Sequence, residues 1–94
     1  MSKLNQDQIS SNLSKLSGWS YENEAISKQF QFKDFIEALS FVNAVGMEAE
    51  KVDHHPDILM FGWNKVKITI STHSAGGVTE KDFSLAQKIE GRLK

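Results

Sequence analysis

The sequence contains no cysteine and only one proline, and its charges are nearly balanced. The absence of cysteine excludes disulfides, thiolate catalysis, and zinc or iron–sulfur sites with cysteine ligands. The 11 basic and 12 acidic residues give a formal net charge of −1. A domain with this balance lacks the basic surface that is typical of nucleic-acid binding, so we expect no nucleic-acid partner.

Long apolar segments are also missing. No stretch approaches the ~20 apolar residues that span a bilayer, and the N-terminal MSKLNQDQIS has no apolar signal sequence. We therefore expect no membrane partner and a cytoplasmic location. The length of 94 residues and the hydrophobic fraction of 39% suit a single domain over residues 1–94 with one modest core.

Hydrophobic periodicity predicts seven elements in the order α-β-β-α-β-β-α. Helices are expected near residues 6–16, 34–50 and 79–93, and two hairpins are expected to turn at Asn23 and at the dipeptide NK of residues 64–65. Two hairpins in a chain of this length predict an α+β fold, in which helices pack on one face of a four-stranded antiparallel sheet.

The predicted helices have recognisable ends. Their N-caps are Asn5, Asp34 and Thr79, and the last two have Glu37 and Asp82 at the N3 position, as in a capping box. A glycine, Gly18, is well placed to stop the first helix. Leu85, Ala86, Ile89 and Leu93 of the last helix are expected to face inward.

The longest helix is apolar around much of its circumference. Its predicted buried stripe comprises Phe35, Leu39, Val42, Gly46 and Ala49, and the stripe is widened by Ile36, Val45 and Met47. Helices of this kind often pack against two neighbours, one of which can be another subunit.

The register of the second hairpin predicts where the histidines lie. If the NK dipeptide forms a two-residue turn, Asp57 pairs with Thr72 and Pro56 with His73. One bulge in the first strand would set His55 against His73 instead. Either register gathers all three histidines of the chain, His54 included, at one end of the hairpin.

This cluster has a functional and an ordinary interpretation. Histidines beside the carboxylates of Glu50, Asp53 and Asp82 suit proton transfer near neutral pH. Yet adjacent surface histidines are usually only solvated, a histidine can simply end a strand, and Asp82 could merely complete a capping box. The convergence of three histidines favours function. We expect no metal, because neighbouring histidines splay apart and catalytic zinc needs a third firm ligand.

Several segments resemble one known family. EKVDHHPD, NKVKITISTH and the later Asp82, together with the upstream GW and KQFQFKDFIEALSFVNAV, are similar to the pterin-4a-carbinolamine dehydratases over about residues 18–90. The resemblance implies dehydration of 4a-hydroxytetrahydrobiopterin to the quinonoid dihydropterin, without cofactor, in a homodimer or homotetramer. This reaction recycles the pterin of aromatic amino acid hydroxylases. The sequence departs from animal members at Ile58, where they carry a tryptophan.

The resemblance also implies the site residues. It gives active-site roles to His54, His55, His73 and Asp82, with Glu50 in a supporting place, and we expect Glu50, Pro56, Ser71 and Thr72 to bind the substrate. In this hypothesis His54 or His73 protonates the 4a-hydroxyl, His55 orients the pterin or takes the ring proton, and Asp82 fixes an imidazole tautomer. Two alternatives stay open: a dimerisation cofactor of a homeodomain transcription factor, and a pterin enzyme of molybdopterin metabolism.

Overall fold

The computed structural model describes residues 2–93 and confirms the predicted α+β order. A single 3-10 turn, His73–Ala75, is added before the last helix. The seven predicted elements are α1 (Gln6–Leu13), β1 (Ser20–Glu22), β2 (Ala25–Gln31), α2 (Phe35–Val52), β3 (Asp57–Phe61), β4 (Lys65–Ile70) and α3 (Glu80–Gly91).

The four strands form one antiparallel sheet in the order β1-β2-β4-β3. Its inner face is buried by alternate residues of the two central strands, because side chains of a strand point to opposite faces in turn. These buried residues are Ile26, Phe30, Val66, Ile68 and Ile70. The helices pack on this face, as predicted, with Ile9, Val45, Phe83 and Ile89 among their buried residues.

The predicted register of the second hairpin is wrong. Asp57 pairs with Thr69 rather than Thr72, and the turn comprises residues 62–64. The reason is Asn64, which is buried instead of standing at the tip of the turn. Its side-chain amide donates to the Phe32 carbonyl at 2.8 Å, and its own carbonyl accepts from the Phe32 N–H at 2.9 Å. Asn64 therefore continues the pairing of β2 with β4.

Apart from Ala49 and the half-buried Val42, the stripe predicted for the buried face of α2 is wrong. Its buried residues are Ala38, Phe41, Val45 and Ala49, whereas Phe35, Leu39 and Gly46 of the predicted stripe are exposed. Because apolar residues occur around most of the circumference of this helix, periodicity alone does not show which face is buried. The small Ala38 and Ala49 on the buried face suit close packing beside Phe41 and Val45, and Phe35, Ile36, Leu39 and Met47 are left exposed.

Most of the helix ends follow the prediction. Asn5, Asp34 and Thr79 are the N-caps, and Asp82 completes the predicted capping box of α3. The box of α2 is not reciprocal, because Glu37 accepts from the N–H of Lys33 rather than from that of the cap.

Two predicted helix boundaries are wrong. The first helix ends at Leu13, well before Gly18, and α3 ends at Gly91, so that Leu93 is exposed rather than buried. No helix within residues 2–93 is long and apolar enough to cross a membrane.

Candidate active site

The end of α2 fixes the backbone of the first histidine. Asp53 adopts a left-handed conformation with φ 51° and donates its N–H to the Glu50 carbonyl at 3.3 Å. The next N–H, that of His54, donates to the Ala49 carbonyl at 3.1 Å. These two hydrogen bonds form a Schellman motif, which satisfies the free carbonyls of the last helical turn. His54 is therefore held against the end of α2.

The start of α3 supplies the partner of this histidine. Asp82 is fully buried, with 0% exposure. Its Oδ2 accepts from the N–H of Thr79 at 2.8 Å and from the hydroxyl of Thr72 at 2.9 Å. Its Oδ1 lies 2.6 Å from Nε2 of His54. Both interpretations of Asp82 therefore hold: its Oδ2 completes the capping box, and its Oδ1 binds the imidazole of His54.

This contact defines which nitrogen of His54 remains available. The Asp82 carboxylate accepts hydrogen bonds from the Thr79 N–H and the Thr72 hydroxyl, so the tautomer that fits this contact is the one in which the Nε2–H of His54 donates to Oδ1. The other ring nitrogen, Nδ1, is then left for a ligand. The His54 side chain is 11% exposed, which suits a group that must reach a ligand while remaining largely protected from water.

The second histidine has a different partner. His55 Nε2 lies 3.0 Å from Oε1 of Glu50, and both side chains are exposed. Adjacent residues of an extended segment point to opposite sides, so His54 turns towards α3 and His55 towards α2. Pro56, which is half-buried, keeps His55 extended.

The third histidine lies on a closed loop after β4. The N–H of Thr72 donates to the Gly77 carbonyl at 2.8 Å, and the reverse hydrogen bond measures 3.4 Å. Between these two residues the chain forms the 3-10 turn that begins with His73. The loop therefore places an exposed imidazole shortly after β4, the strand that pairs with β3, with Ser71 and Thr72 between them.

A cavity of about 320 Å³ brings the three histidines together. We call it the histidine cavity. It is lined by Asp53, His54, His55, Ser71, Thr72, His73, Ser74 and Lys81. Of the remaining residues expected at the site, Asp82 lies behind His54, Glu50 binds His55 outside the lining, and Pro56 is not in the lining.

Sequence reasoning missed two lining residues, Ser74 and Lys81. Lys81 directly precedes Asp82 in the first turn of α3, and this proximity was a signal that could have identified it. Within residues 2–93, no three side chains of histidine, cysteine, aspartate or glutamate are grouped as a metal site requires. The arrangement can donate, accept and position protons.

A larger cavity, of about 410 Å³, lies elsewhere and contains no histidine. Its charged residues are already engaged: Glu37 accepts from the N–H of Lys33, and Arg92 binds Glu48. Size alone does not define a site, and proton transfer needs imidazoles or carboxylates that face a ligand. We therefore place the candidate active site in the histidine cavity.

Comparisons with known proteins agree with the fold and with the resemblance. The family described as Pterin 4 alpha carbinolamine dehydratase matches residues 2–92. A protein of Sulfolobus acidocaldarius, provisionally named a pterin-4-alpha-carbinolamine dehydratase, is 48% identical over 87 residues, which is 93% of this chain and 94% of the relative. A protein of Trichormus variabilis with the same provisional name is 50% identical over 86 residues, covering 92% of this chain and 91% of the relative.

A solved structure extends this comparison. The crystal structure of a transcriptional coactivator/pterin dehydratase from Brucella melitensis matches with a TM-score of 0.91 and 38% identity, over 95% of this chain and 96% of that one. A pterin dehydratase-like RuBisCO assembly factor shares the fold alone, with a TM-score of 0.63 and 22% identity over 78% of this chain and 83% of that one. The chain belongs to the pterin-4a-carbinolamine dehydratase family.

Proposed function

We propose that the protein dehydrates 4a-hydroxytetrahydropterins, 4a-hydroxytetrahydrobiopterin among them, to the quinonoid dihydropterin and water. The observation that carries the proposal is the buried Asp82–His54 pair, which lies beside a cavity shared with His55 and His73. Membership of the dehydratase family supports the same reaction class.

The chemistry needs an acid, a base and a positioned substrate. The C4a–O bond breaks when the hydroxyl oxygen receives a proton and leaves as water, while the lone pair of the neighbouring ring nitrogen forms the new C=N bond. A proton must then leave the ring system. Positioned proton donors and acceptors contribute roughly 10²–10⁴-fold each to such a step.

We assign the general acid to His54. Asp82 holds its Nε2, so a protonated imidazole can deliver the proton on Nδ1 to the 4a-hydroxyl and return to the neutral tautomer that Asp82 selects. His73 then takes the ring proton from the other wall of the histidine cavity. His55, which Glu50 orients, positions the pterin ring.

The other expected binding residues contribute in different ways. Ser71 lines the cavity and has no side-chain hydrogen bond to residues 2–93, so its hydroxyl is available to a substrate. The hydroxyl of Thr72 is already occupied by Asp82 and Thr79. Thr72 therefore supports the reaction through Asp82, and Pro56 supports it by restricting His55.

The exposed face of α2 supports self-association into a homodimer or homotetramer. Ile36 and Met47 are 67% and 58% exposed, and Phe35 and Leu39 extend the same apolar surface. An apolar patch of this kind marks a protein–protein contact. The same surface also suits a transcriptional coactivator, a function named in the description of the Brucella protein.

A direct assay distinguishes these functions. Chemically generated 4a-carbinolamine is added, and formation of the quinonoid product is followed with and without protein. We expect acceleration by the wild-type protein and by a control variant, Gln87→Ala, on the exposed face of α3. A rate at background in the presence of folded wild-type protein would leave a binding function as the better interpretation.

A further inference from the structure

A second cavity adjoins the histidine cavity on its His73 side. It has a volume of about 240 Å³, and we call it the turn cavity. It shares Ser71 and His73 with the histidine cavity, so the two cavities meet at these residues. Its remaining lining residues are Asn23, Glu24, Gly76 and Gly77.

The β1–β2 turn builds the polar wall of this cavity. Glu22 pairs with Ala25, so Asn23 and Glu24 are the two turn residues, with φ 54° and 62°. Such a turn needs positive φ at both positions and favours glycine at the second. Glutamate there is strained, since a non-glycine residue in this region costs about 1–2 kcal/mol, and backbone strain of this kind concentrates at functional sites.

The Glu24 carboxylate lies over the floor of the turn cavity. A Cβ atom built on Gly77 would lie 3.7 Å from Glu24 Oε1 and 3.1 Å from Cδ of Lys3. None of the side-chain hydrogen bonds or ion pairs within residues 2–93 engages this carboxylate. Glu24 is therefore available to accept a hydrogen bond from a ligand.

The proposed substrate has a group that fits this position. In a 4a-hydroxytetrahydropterin, the C6 substituent is attached two bonds from C4a, across the ring nitrogen. A pterin with C4a between His54 and His73 therefore extends its C6 substituent to the edge of the histidine cavity. A hydroxylated substituent donates and accepts hydrogen bonds, which matches a wall of amide, carboxylate and hydroxyl groups.

We propose that the turn cavity binds the C6 substituent of the pterin and selects uncharged, hydroxylated substituents over anionic ones. This inference rests on the proposed function. Glu24 accepts a hydroxyl hydrogen of the substituent and repels a carboxylate or phosphate in the same place. Asn23 and the backbone at Gly76 and Gly77 complete the subsite.

The cavity on the other side of His54 offers a contrasting environment. It has a volume of about 310 Å³ and is lined by Val52, His54, Glu80, Lys81 and Ser84. The ammonium of Lys81 has no ion-pair partner within residues 2–93. A negative charge on the substituent would be favoured beside Lys81 and disfavoured beside Glu80, which lines the same cavity. Because Lys81 also lines the histidine cavity, the preferred charge of the substituent reports whether it lies beside Glu24 or beside Lys81.

Binding of stable 7,8-dihydropterins tests the inference by calorimetric titration. Three ligands are compared, with a methyl group, a dihydroxypropyl group or a glutamate-bearing anionic group at C6. For the wild-type protein we expect the dihydroxypropyl ligand to bind tightest. Glu24→Gln should lower the affinity for the dihydroxypropyl ligand, relative to that for the methyl ligand, by roughly threefold to tenfold, because one hydrogen bond is lost. Glu24→Lys should raise the affinity for the anionic ligand. Glu22→Gln is the matched exposed control.

The outcomes separate this inference from the proposed function. Affinity ratios that stay unchanged in both Glu24 variants would overturn the subsite, while dehydration of a 6-methyl carbinolamine would still support the function. A wild-type preference for the anionic ligand that disappears in Lys81→Gln would place the substituent beside Lys81 rather than beside Glu24 and would also overturn it. Failure of the wild-type protein to bind any reduced pterin would overturn both.

Discussion

The carboxylate of Asp82 and the imidazole of His54 meet at 2.6 Å, 28 residues apart in the sequence. The same carboxylate completes the N-terminal cap of α3. A residue that a helix needs in order to start is thereby also the residue that selects the tautomer of a candidate catalytic group. Folding of α3 and readiness for proton transfer are coupled through this one side chain.

Substitution of Asp82 should affect stability and activity together. Asp82→Ala leaves the Thr79 N–H and Nε2 of His54 without their partner, while the Thr72 hydroxyl keeps only Thr79, and each unsatisfied buried group costs about 1–3 kcal/mol. We expect the dehydration rate to fall by roughly 10²-fold or more. Urea denaturation and the carbinolamine assay measure the two effects.

Asp34→Ala provides the matched control for that variant. Asp34 also caps a helix, through a 2.8 Å hydrogen bond from the Glu37 N–H, but it is exposed and lies outside the histidine cavity. Its loss should cost about 1 kcal/mol of stability and leave activity intact. Equal loss of activity in both variants would mean that Asp82 acts only through the stability of the helix.

The three histidines should differ in their kinetic effects. His54→Ala and His73→Ala remove the proposed acid and base, and each should lower kcat by roughly 10²–10⁴-fold. His55→Ala removes a positioning contact and should mainly raise KM. Loss of the acid in His54→Ala should remove the high-pH limb of the pH–rate profile, and loss of the base in His73→Ala should remove the low-pH limb. Full activity in all three variants would refute acid–base catalysis in this cavity.

Local signals were sufficient to predict the order of the elements and several of their ends. Thr79 and Asp82 form the predicted capping box because both partners lie within four residues. The alternation of Val66, Ile68 and Ile70 with polar residues is a local signal of the same kind, because it reflects only the two-residue period of a strand, and these three side chains are the buried ones of β4.

Features that depend on distant contacts were not predictable in this way. The hairpin register follows from the Asn64 side chain binding the Phe32 carbonyl, 32 residues away. The strand period places Lys28 on the same face as Ile26 and Phe30, but its ion pair with Glu90 of α3 at 2.7 Å depends on how α3 packs. The predicted grouping of the histidines rests on an incorrect register. In the structure they meet because His73 belongs to the loop between Thr72 and Gly77, which folds back.

The exposed apolar surface of α2 predicts the effect of charge on self-association. Ile36→Lys combined with Met47→Glu places charges where a second subunit would bury apolar area. We expect the wild-type protein to be a dimer or tetramer by light scattering and the double variant to be a monomer that remains folded. Gln87→Glu, on the exposed face of α3, is the control and should leave the assembly unchanged. A monomeric wild-type protein would refute the interface.

The ion pair between α2 and α3 predicts how stability depends on pH. Arg92 Nε donates to Glu48 Oε2 at 2.7 Å, and this hydrogen bond is the main cause that lowers the pKa of Glu48 from its ordinary value of 4.5. Burial acts in the opposite direction, and the charges of Lys51, Arg92 and Lys88 add to the lowering.

A carboxyl whose pKa is lower in the folded than in the unfolded state contributes stability above its unfolded pKa, and that contribution is lost as the pH falls through the folded value. Glu48→Gln should therefore have a lower free energy of unfolding than the wild-type protein at neutral pH, and the difference should shrink as the pH falls below 4.5. Urea denaturation over this range measures the difference, with Glu22→Gln as the control. A difference that is constant across the range would mean that Glu48 contributes through packing rather than through its charge.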